Sequence, residues 1–334
     1  MFKMATTGLQ RVPLSMRGIE NCFTFVKPIS EVDFLRGFLC GIAQPRRTGT
    51  SLFSTNAILN QSTSEVQQPT PVVTTPSKET AISHFGKNGS TTGDEAYRMP
   101  HPVWTAEDVR SVKITHQKPQ KFVDELAYKS VQALRAAFDI ISLYRFMELD
   151  ENRWLNRIIM LETIAGVPGM IAGMTRHFHA LRRLQRDNGW IHTLLEEAEN
   201  ERMHLMTALE MKQPGILFRG AILLAQGTFV NLFFLAYLIS PKFCHRFVGY
   251  LEEEAVKTYT HCIECIDSGK LPLWENLLAP KIAVNYWKLP EGSRMRDVIL
   301  AIRADEAHHR VVNHTLSSLP LCAPNPFHPG EKKL

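Results

Sequence analysis

The sequence predicts an all-α fold on three observations. Apolar side chains recur at steps of three and four residues, as in Val131, Leu134 and Phe138, which is the period of a helix with one buried face. Prolines fall mostly between these stretches, and the two-residue alternation of strands is scarce. We therefore predict six long helices, near residues 125–149, 152–185, 189–212, 217–239, 241–268 and 294–317.

Two segments before these helices have a different composition. Residues 1–55 are rich in Arg, Ser, Thr, Phe and Leu and poor in acids, which is typical of an organellar transit peptide; an ordinary disordered N-terminus is the alternative. Residues 56–98 are rich in Ser, Thr, Gln and Pro without apolar periodicity, which predicts a disordered linker. The folded domain is therefore expected at residues 99–334.

The net charge and the cysteines exclude two classes of protein. The formal net charge is +5, but residues 1–60 hold seven Lys or Arg against three acids, so the remainder is nearly neutral. A surface that neutralises phosphates is not indicated, and nucleic acid is excluded as a partner. The six cysteines lack zinc-ribbon spacing, and Cys262 and Cys265 are interpreted as buried structural thiols because no strand precedes them.

Two Glu-x-x-His motifs point to a metal site. In Glu201-Arg-Met-His204 and Glu306-Ala-His-His309 a carboxylate and an imidazole stand three residues apart, about 60° around a helix, so both can reach one metal ion. One such motif is common by chance, but two on separate helices are more informative. Ferritin-like four-helix proteins complete a two-metal site with one glutamate from each of two further helices.

The two missing glutamates are expected on other apolar helices. Glu162 is the only acid in a long apolar stretch, where a lone carboxylate costs several kcal/mol unless it is paired or coordinated. Glu252 is chosen from three neighbouring glutamates because Tyr259, seven residues later, lies about 20° from the same helical line. Glu253 is predicted to belong to a solvated face.

The chemistry of the ligands favours iron. Carboxylates and imidazoles suit iron or manganese, whereas zinc usually brings cysteine or fewer carboxylates. Four carboxylates also offset the four positive charges of a di-ferrous pair. The predicted fold is therefore an all-α, ferritin-like four-helix bundle with a di-iron centre, plus two additional membrane-interfacial helices.

The interfacial helices are predicted from an apparent membrane span. Residues 220–240 carry no charge over 21 positions, long enough to cross a bilayer as a helix. Glu201 and Glu252 flank this stretch and are predicted to bind one metal pair, so we expect it to lie on one leaflet instead. Helix 125–149, which carries Lys129, Arg135 and Arg145, is the predicted second contact. Core packing remains the alternative for both helices.

Four strings around the predicted ligands resemble the motifs of the mitochondrial alternative oxidase family. The resemblance extends from about Pro102 to Asn313. It implies a cyanide-resistant ubiquinol oxidase that reduces O2 to water without pumping protons, attached to the matrix side of the mitochondrial inner membrane and forming a homodimer. The strings are Leu161-Glu-Thr163, Asn200-Glu-Arg-Met-His-Leu205, Leu251-Glu-Glu-Glu-Ala255 and Arg303-Ala-Asp-Glu-Ala-His-His-Arg310.

The resemblance also implies roles for single residues. Tyr259 matches a tyrosine near the iron that can donate an electron and a proton during O–O cleavage. The implied metal ligands are Glu162, Glu201, His204, Glu252, Glu306 and His309. The implied supporting residues, which act through hydrogen bonds, are Trp104, Asn200, His245 and Asp305. The implied quinol-binding residues are Arg135, Asp139, Arg157, Leu161, Leu251, Glu254, Ala255 and Thr258, with Glu254 as acceptor of a quinol proton.

Other functions remain open at this point. Another di-iron enzyme, such as a quinone hydroxylase or the small subunit of ribonucleotide reductase, would use similar ligands, and a plastid terminal oxidase is the nearest related type. A non-catalytic membrane scaffold or a ferritin-like iron store would keep the motifs as buried polar groups. Cyanide-resistant O2 uptake that depends on quinol would separate these functions from the predicted one.

Overall fold

A computed structural model describes residues 98–142, 144, 147 and 149–334 of the chain. The predicted transit peptide and nearly all of the predicted linker lie outside these residues. The described chain consists of helices and their connections and contains no strand, which confirms the all-α prediction. The helices are α1 (Ala106–Ser111), α2 (Phe122–Ile141), α3 (Glu151–Arg183), α4 (Trp190–Met211), α5 (Ile216–Ile239), α6 (Pro241–Asp267), α7 (Pro272–Asn276), α8 (Lys281–Trp287) and α9 (Met295–Ser318).

Helices α3 to α6 and α9 begin and end within two residues of the predicted positions, whereas α2 does not. The prediction for α2 was wrong at both ends, because the helix begins at Phe122 and ends at Ile141. At its start the Asp124 carboxylate accepts the N–H groups of Gln120 and Lys121. The connection that follows α2 ends at Asp150, whose side chain accepts the Arg153 N–H at 2.8 Å and starts α3.

Four long helices form the bundle that positions the predicted ligands. α3 packs along α4, and α6 packs along α9. Gly169 permits the first of these contacts, since a Cβ at this position would lie 2.5 Å from the carbonyl oxygen of Leu194 on α4. The short helices α1, α7 and α8, which the sequence did not predict, pack around α9.

The two predicted interfacial helices lie on the outside of this bundle. α2 packs on α6, and α5 packs on α3 and α6. Within α5 only Phe233 and Tyr237 are buried, and several of its leucines are more than half exposed. Among the described residues, α3 and α5 are long and apolar enough to cross a membrane, but half of the most apolar window of α3 is buried inside the protein, against 11% for α5.

Candidate metal centre

The six predicted ligands meet inside the bundle. Each of the four long helices contributes at least one of them, and each Glu-x-x-His pair projects from one face of its helix as the three-residue spacing predicts. Every one of the six residues is at most 5% exposed, so the cluster is shielded from water. The contributions are Glu162 from α3, Glu201 and His204 from α4, Glu252 from α6, and Glu306 and His309 from α9.

The donor atoms form two overlapping groups. The first contains Glu162 and His204, the second contains Glu252 and His309, and both contain Glu201 and Glu306; within each group all donor atoms lie within 4.8 Å of one another. Glu201 places Oε2 3.2 Å from Nδ1 of His204 and Oε1 2.8 Å from Nδ1 of His309. Glu306 places Oε1 3.4 Å from Nδ1 of His204 and Oε2 3.8 Å from Nδ1 of His309. Two carboxylates therefore lie between two imidazole-bearing positions, an arrangement suited to bridging two cations.

Several of these atoms have no hydrogen-bond partner although they are buried. They include both oxygens of Glu201, Oε2 of Glu162 and Nδ1 of both histidines. These carboxylate oxygens and ring nitrogens lie close together but do not have the geometry of hydrogen bonds. Buried polar atoms without partners are rare, and metal ions would satisfy this set. The residues present therefore fit a metal centre.

The electrostatics of the cluster show how closely its charges interact. Burial, with the charge on Glu201, raises the pKa of Glu162 to about 8, and burial with Glu306 raises the pKa of Glu252 well above its ordinary value. Burial also acts on Glu201, but the imidazoles outweigh it and lower the pKa of this carboxyl. The pKa values of the two histidines are raised, because Glu201 outweighs the effect of their burial. Charges packed in so dry a volume require counter-charges, which protons or metal ions supply.

Asp305 organises one side of the cluster. Its Oδ2 accepts hydrogen bonds from Nε2 of His204 at 3.0 Å and Nδ2 of Asn200 at 3.1 Å, and its Oδ1 accepts one from the Trp104 indole at 2.6 Å. All three residues were singled out from the sequence, Trp104 and Asn200 as supporting residues and His204 as a ligand, but not as partners of Asp305. Trp287 was not predicted; its indole N–H donates to Oδ2 at 2.7 Å, and its ring stacks near His204. These bonds fix the ring of His204 with Nδ1 turned toward the carboxylates.

His245 belongs to a second network that approaches the cluster through Asn313. Nδ1 of His245 lies 3.1 Å from Oδ1 of Asn313, and the Tyr237 hydroxyl lies 3.2 Å from Nε2 of His245. Nδ2 of Asn313 donates to the backbone carbonyl of His309 and to the buried carboxylate of Glu197. Tyr237, Asn313 and Glu197 were not singled out from the sequence, whereas His245 was.

Tyr259 lies where helical phase places it. Its hydroxyl donates a short hydrogen bond to Oε1 of Glu162, from α6 to α3, and the ring is 5% exposed. Burial and the neighbouring Glu162 raise the pKa of Tyr259 well above its ordinary value. The phenol is therefore protonated and in contact with a candidate ligand.

The charged members of the predicted quinol set form one chain of ion pairs. Glu254 on α6 pairs with Arg135 on α2, Arg135 lies 3.5 Å from Asp139, and Asp139 lies 2.9 Å from Arg157 on α3. The Thr258 hydroxyl donates to the backbone carbonyl of Glu254. The apolar members Leu161, Leu251 and Ala255 are half-buried on the same helices. The structure thus connects positions that are more than a hundred residues apart in sequence.

A largely apolar cavity of about 370 Å³ borders this chain at Arg157. Arg157 is 7% exposed, lies over the Tyr144 ring at 3.8 Å, and leaves its Nε and Nη1 without hydrogen-bond partners. Arg157 is the only predicted quinol residue in the lining. The other lining residues, which the sequence analysis missed, are Phe138, Ile141, Ser142, Tyr144, Met147, Leu149, Arg153, Asn156, Met160 and Phe218.

The prediction that Glu253 is solvated was wrong. Glu253 is 2% exposed, and its carboxylate accepts hydrogen bonds from the backbone N–H of Gln117 and from the rings of His116 and His314. The segment between α1 and α2 covers this face of α6. This segment has no apolar periodicity, so its packing on a neighbouring helix could not be predicted from the sequence.

Comparisons with known proteins agree with this site. Residues 104–318 match the family profile described as alternative oxidase, which covers more than half of the chain. The chain is 53% identical to "Alternative oxidase, mitochondrial" of Emericella nidulans over 239 residues, 68% of each protein, and 55% identical to the Neurospora crassa protein of the same name over 248 residues, again 68% of each. It is 49% identical to the Gelasinospora sp. protein of that name over 342 residues, 95% of this chain and 88% of the relative. The chain therefore belongs to the alternative oxidase family.

Proposed function

We propose that this protein is a cyanide-resistant ubiquinol:oxygen oxidoreductase that reduces O2 to water at a di-iron centre without pumping protons. The observation that carries the proposal is the pair of buried groups that share Glu201 and Glu306, in a chain of the alternative oxidase family. Glu162 and His204 would hold one iron ion, and Glu252 and His309 the other. Such an iron pair, when bound, transfers electrons from quinol to O2.

The protein's own groups position the proton that the reaction needs near the centre. Tyr259 keeps its hydroxyl proton and presents it to Glu162, so it can donate a proton and an electron next to the bound ions. Asp305 holds His204 in one orientation through the opposite ring nitrogen.

The quinol is proposed to enter beside Arg157. The two unpartnered nitrogens of this side chain are available to a quinol oxygen, and the apolar cavity accepts a lipid-like molecule. Burial raises the pKa of Glu254, but hydrogen bonds from Lys257 and Gln132 and the charge of Arg135 outweigh it and lower the pKa. Glu254 is therefore an ionised carboxylate that can accept a quinol proton.

We further propose that α2 and α5 attach the protein to one leaflet of the inner mitochondrial membrane, on the matrix side. The support is the row of exposed apolar residues on α5, while Gln226 on its inner face bonds to the backbone carbonyl of Thr163 on α3. Carbonate extraction should leave the protein in the membrane. Protease added to one side should reach the helices at both ends of α5; protection of a fragment that spans both faces would refute one-leaflet attachment.

The main test of the function is Glu162→Ala, with Glu199→Ala as the matched control. Glu199 lies on the outside of α4 and pairs with Arg202. We expect Glu162→Ala to lose bound iron and O2 uptake with ubiquinol in the presence of cyanide, and the control to retain both. Full oxidase activity with two iron ions per chain in Glu162→Ala would refute the ligand set, and a hydroxylated quinone as product would favour another di-iron enzyme.

We propose that the protein acts in mitochondria, the location that the name of its relatives states for them. We also propose that it forms a homodimer. The oligomeric state follows from the family resemblance. Native mass of the detergent-solubilised protein tests it directly: a monomer at micromolar concentration would refute the dimer.

A further inference from the structure

A second, polar cavity lies on another side of the centre. It has a volume of about 20 Å³, close to the space of a single water molecule. Glu196, Glu197 and Asn200 line it from α4, and the candidate ligand His309 lines it from α9. Gly330 of the C-terminal segment, which is half-buried, also lines it. The cavity therefore borders both a candidate metal ligand and a residue that is partly open to solvent.

The carboxylates in this cavity have no Lys or Arg partner among the described residues. Glu197 is 5% exposed and accepts one hydrogen bond, from Asn313 at 2.8 Å. The side chain of Glu196 is 13% exposed; it accepts a backbone hydrogen bond from Gly330, and its Oε1 lies 3.2 Å from Nδ1 of His192 without hydrogen-bonding geometry. Burial raises the pKa of both carboxyls to about 7, as expected where buried carboxylates lack a cation.

Asn200 supplies an independent indication of a ligand. The residue is 2% exposed, and its Oδ1 has no hydrogen-bond partner, while its Nδ2 donates to Tyr286 and Asp305. A buried amide oxygen without a partner lowers the stability of the fold unless a ligand or a water molecule binds to it. Carboxylate and amide oxygens, followed by an imidazole, are groups that bind divalent iron.

The large apolar cavity is unfavourable for a cation. Arg153 and Arg157 line the large apolar cavity, so an Fe²⁺ ion there would meet positive charge and apolar walls. In the described part of the chain, the donors of the polar cavity do not form a cluster as tight as the two groups of the centre. The polar cavity is thus suited to passing an ion rather than keeping it.

We propose that the polar cavity is the entry route for divalent iron, with Glu196 at its mouth and Glu197 and Asn200 as transient ligands before His309. This inference rests on the proposed di-iron function. It assigns the two glutamates a role in loading the centre, separate from the six ligands that hold the ions.

The rate of iron loading tests the route without measuring oxidase activity. The full chain, purified in detergent and stripped of metal, receives Fe²⁺ without oxygen, and a coloured chelator reads the unbound ion at timed intervals. We expect Glu196→Gln and Glu197→Gln to load about tenfold more slowly than the unaltered chain and to reach the same two ions per chain. Glutamine at 197 still accepts the Asn313 bond, and circular dichroism checks that the variants fold.

Glu199→Gln is the matched control, because it removes a carboxylate from the outer face of the same helix. It should load at the unaltered rate. Equal rates in all variants would overturn the entry route while leaving the centre intact, as would a normal rate with a lower final iron content. If the unaltered chain binds no iron, the di-iron function falls and the route falls with it.

Discussion

Replacing Asp305 by asparagine tests how far the centre depends on a residue that does not belong to the ligand set. The Asp305 carboxylate accepts four hydrogen bonds, three at Oδ2 and one, from Trp104, at Oδ1. An asparagine side chain offers one acceptor oxygen. If that oxygen faces the three donors, its NH2 group meets the N–H of Trp104, and both remain buried without an acceptor.

The expected cost follows from this count. Each buried donor without an acceptor costs about 1–3 kcal/mol, so Asp305→Asn should lower the free energy of unfolding by about 2–6 kcal/mol. The His204 ring also loses a charged acceptor. We therefore expect iron affinity to fall about 10- to 100-fold, the usual effect of removing a residue that orients a metal ligand.

Asp267→Asn is the control for this substitution. The Asp267 carboxylate pairs with Arg296 at 2.6 and 2.9 Å, but its side chain is 47% exposed, so the substitution should cost less than about 1 kcal/mol. Thermal unfolding and competition with an iron chelator measure the two effects on the full chain in detergent. Equal unfolding temperatures and iron affinities for the two variants would refute the reasoning about Asp305.

Two further predictions concern stability. Gly169→Ala should destabilise the protein by about 1–3 kcal/mol, because the new Cβ would lie 2.5 Å from the carbonyl oxygen of Leu194. The control Gly227→Ala, with nothing within 4 Å of its Cβ, should be neutral or stabilising. Equal unfolding temperatures for the two variants would contradict this prediction. Burial raises the pKa of Asp124, but the N–H groups before α2 and the Arg246 guanidinium outweigh burial, and the pKa is lowered. Its stabilising effect is thus complete above about pH 4 and is lost as pH falls through the lower folded pKa. Unfolding at pH 7 should separate Asp124→Asn from the unaltered chain, and the difference should shrink as the pH falls below about 4; a constant difference would contradict the assignment.

The helices were predictable where apolar periodicity ends at a proline or a cap. Ser240 and Pro241, for example, separate α5 from α6, and both boundaries lie within one residue of the prediction. The end of α2 was not predictable in this way. Residues 142–149 contain further apolar residues and no glycine or proline, so the pattern continues past Ile141. Asp150 gives the only local sign of a new helix, and a single aspartate is a weak one.

The residues of the candidate site were likewise predictable only where they depend on spacing within one helix. Three-residue spacing places Glu201 beside His204 within one helix, and this is a local property that the sequence contains. Trp287 is different, since it reaches Asp305 from a short helix that shows no long period. Glu253 was misjudged for a similar reason, because its partners come from an irregular segment and from α9. Contacts made by irregular or distant segments cannot be inferred from the period of one helix.

The two cavities differ in the charge they present, and this difference has a consequence for the chemistry. One cavity is apolar and carries the guanidinium of Arg157, and the other is polar and carries the carboxylates of Glu196 and Glu197. A lipid-like quinol gains free energy only in the first, whereas a divalent cation is attracted only by the second. The six candidate ligands are at most 5% exposed, and we propose that these two different molecules reach them through separate entrances. Reversing one charge at each entrance should therefore impair different steps: Arg157→Glu should raise the KM for quinol, and Glu197→Arg should slow iron loading.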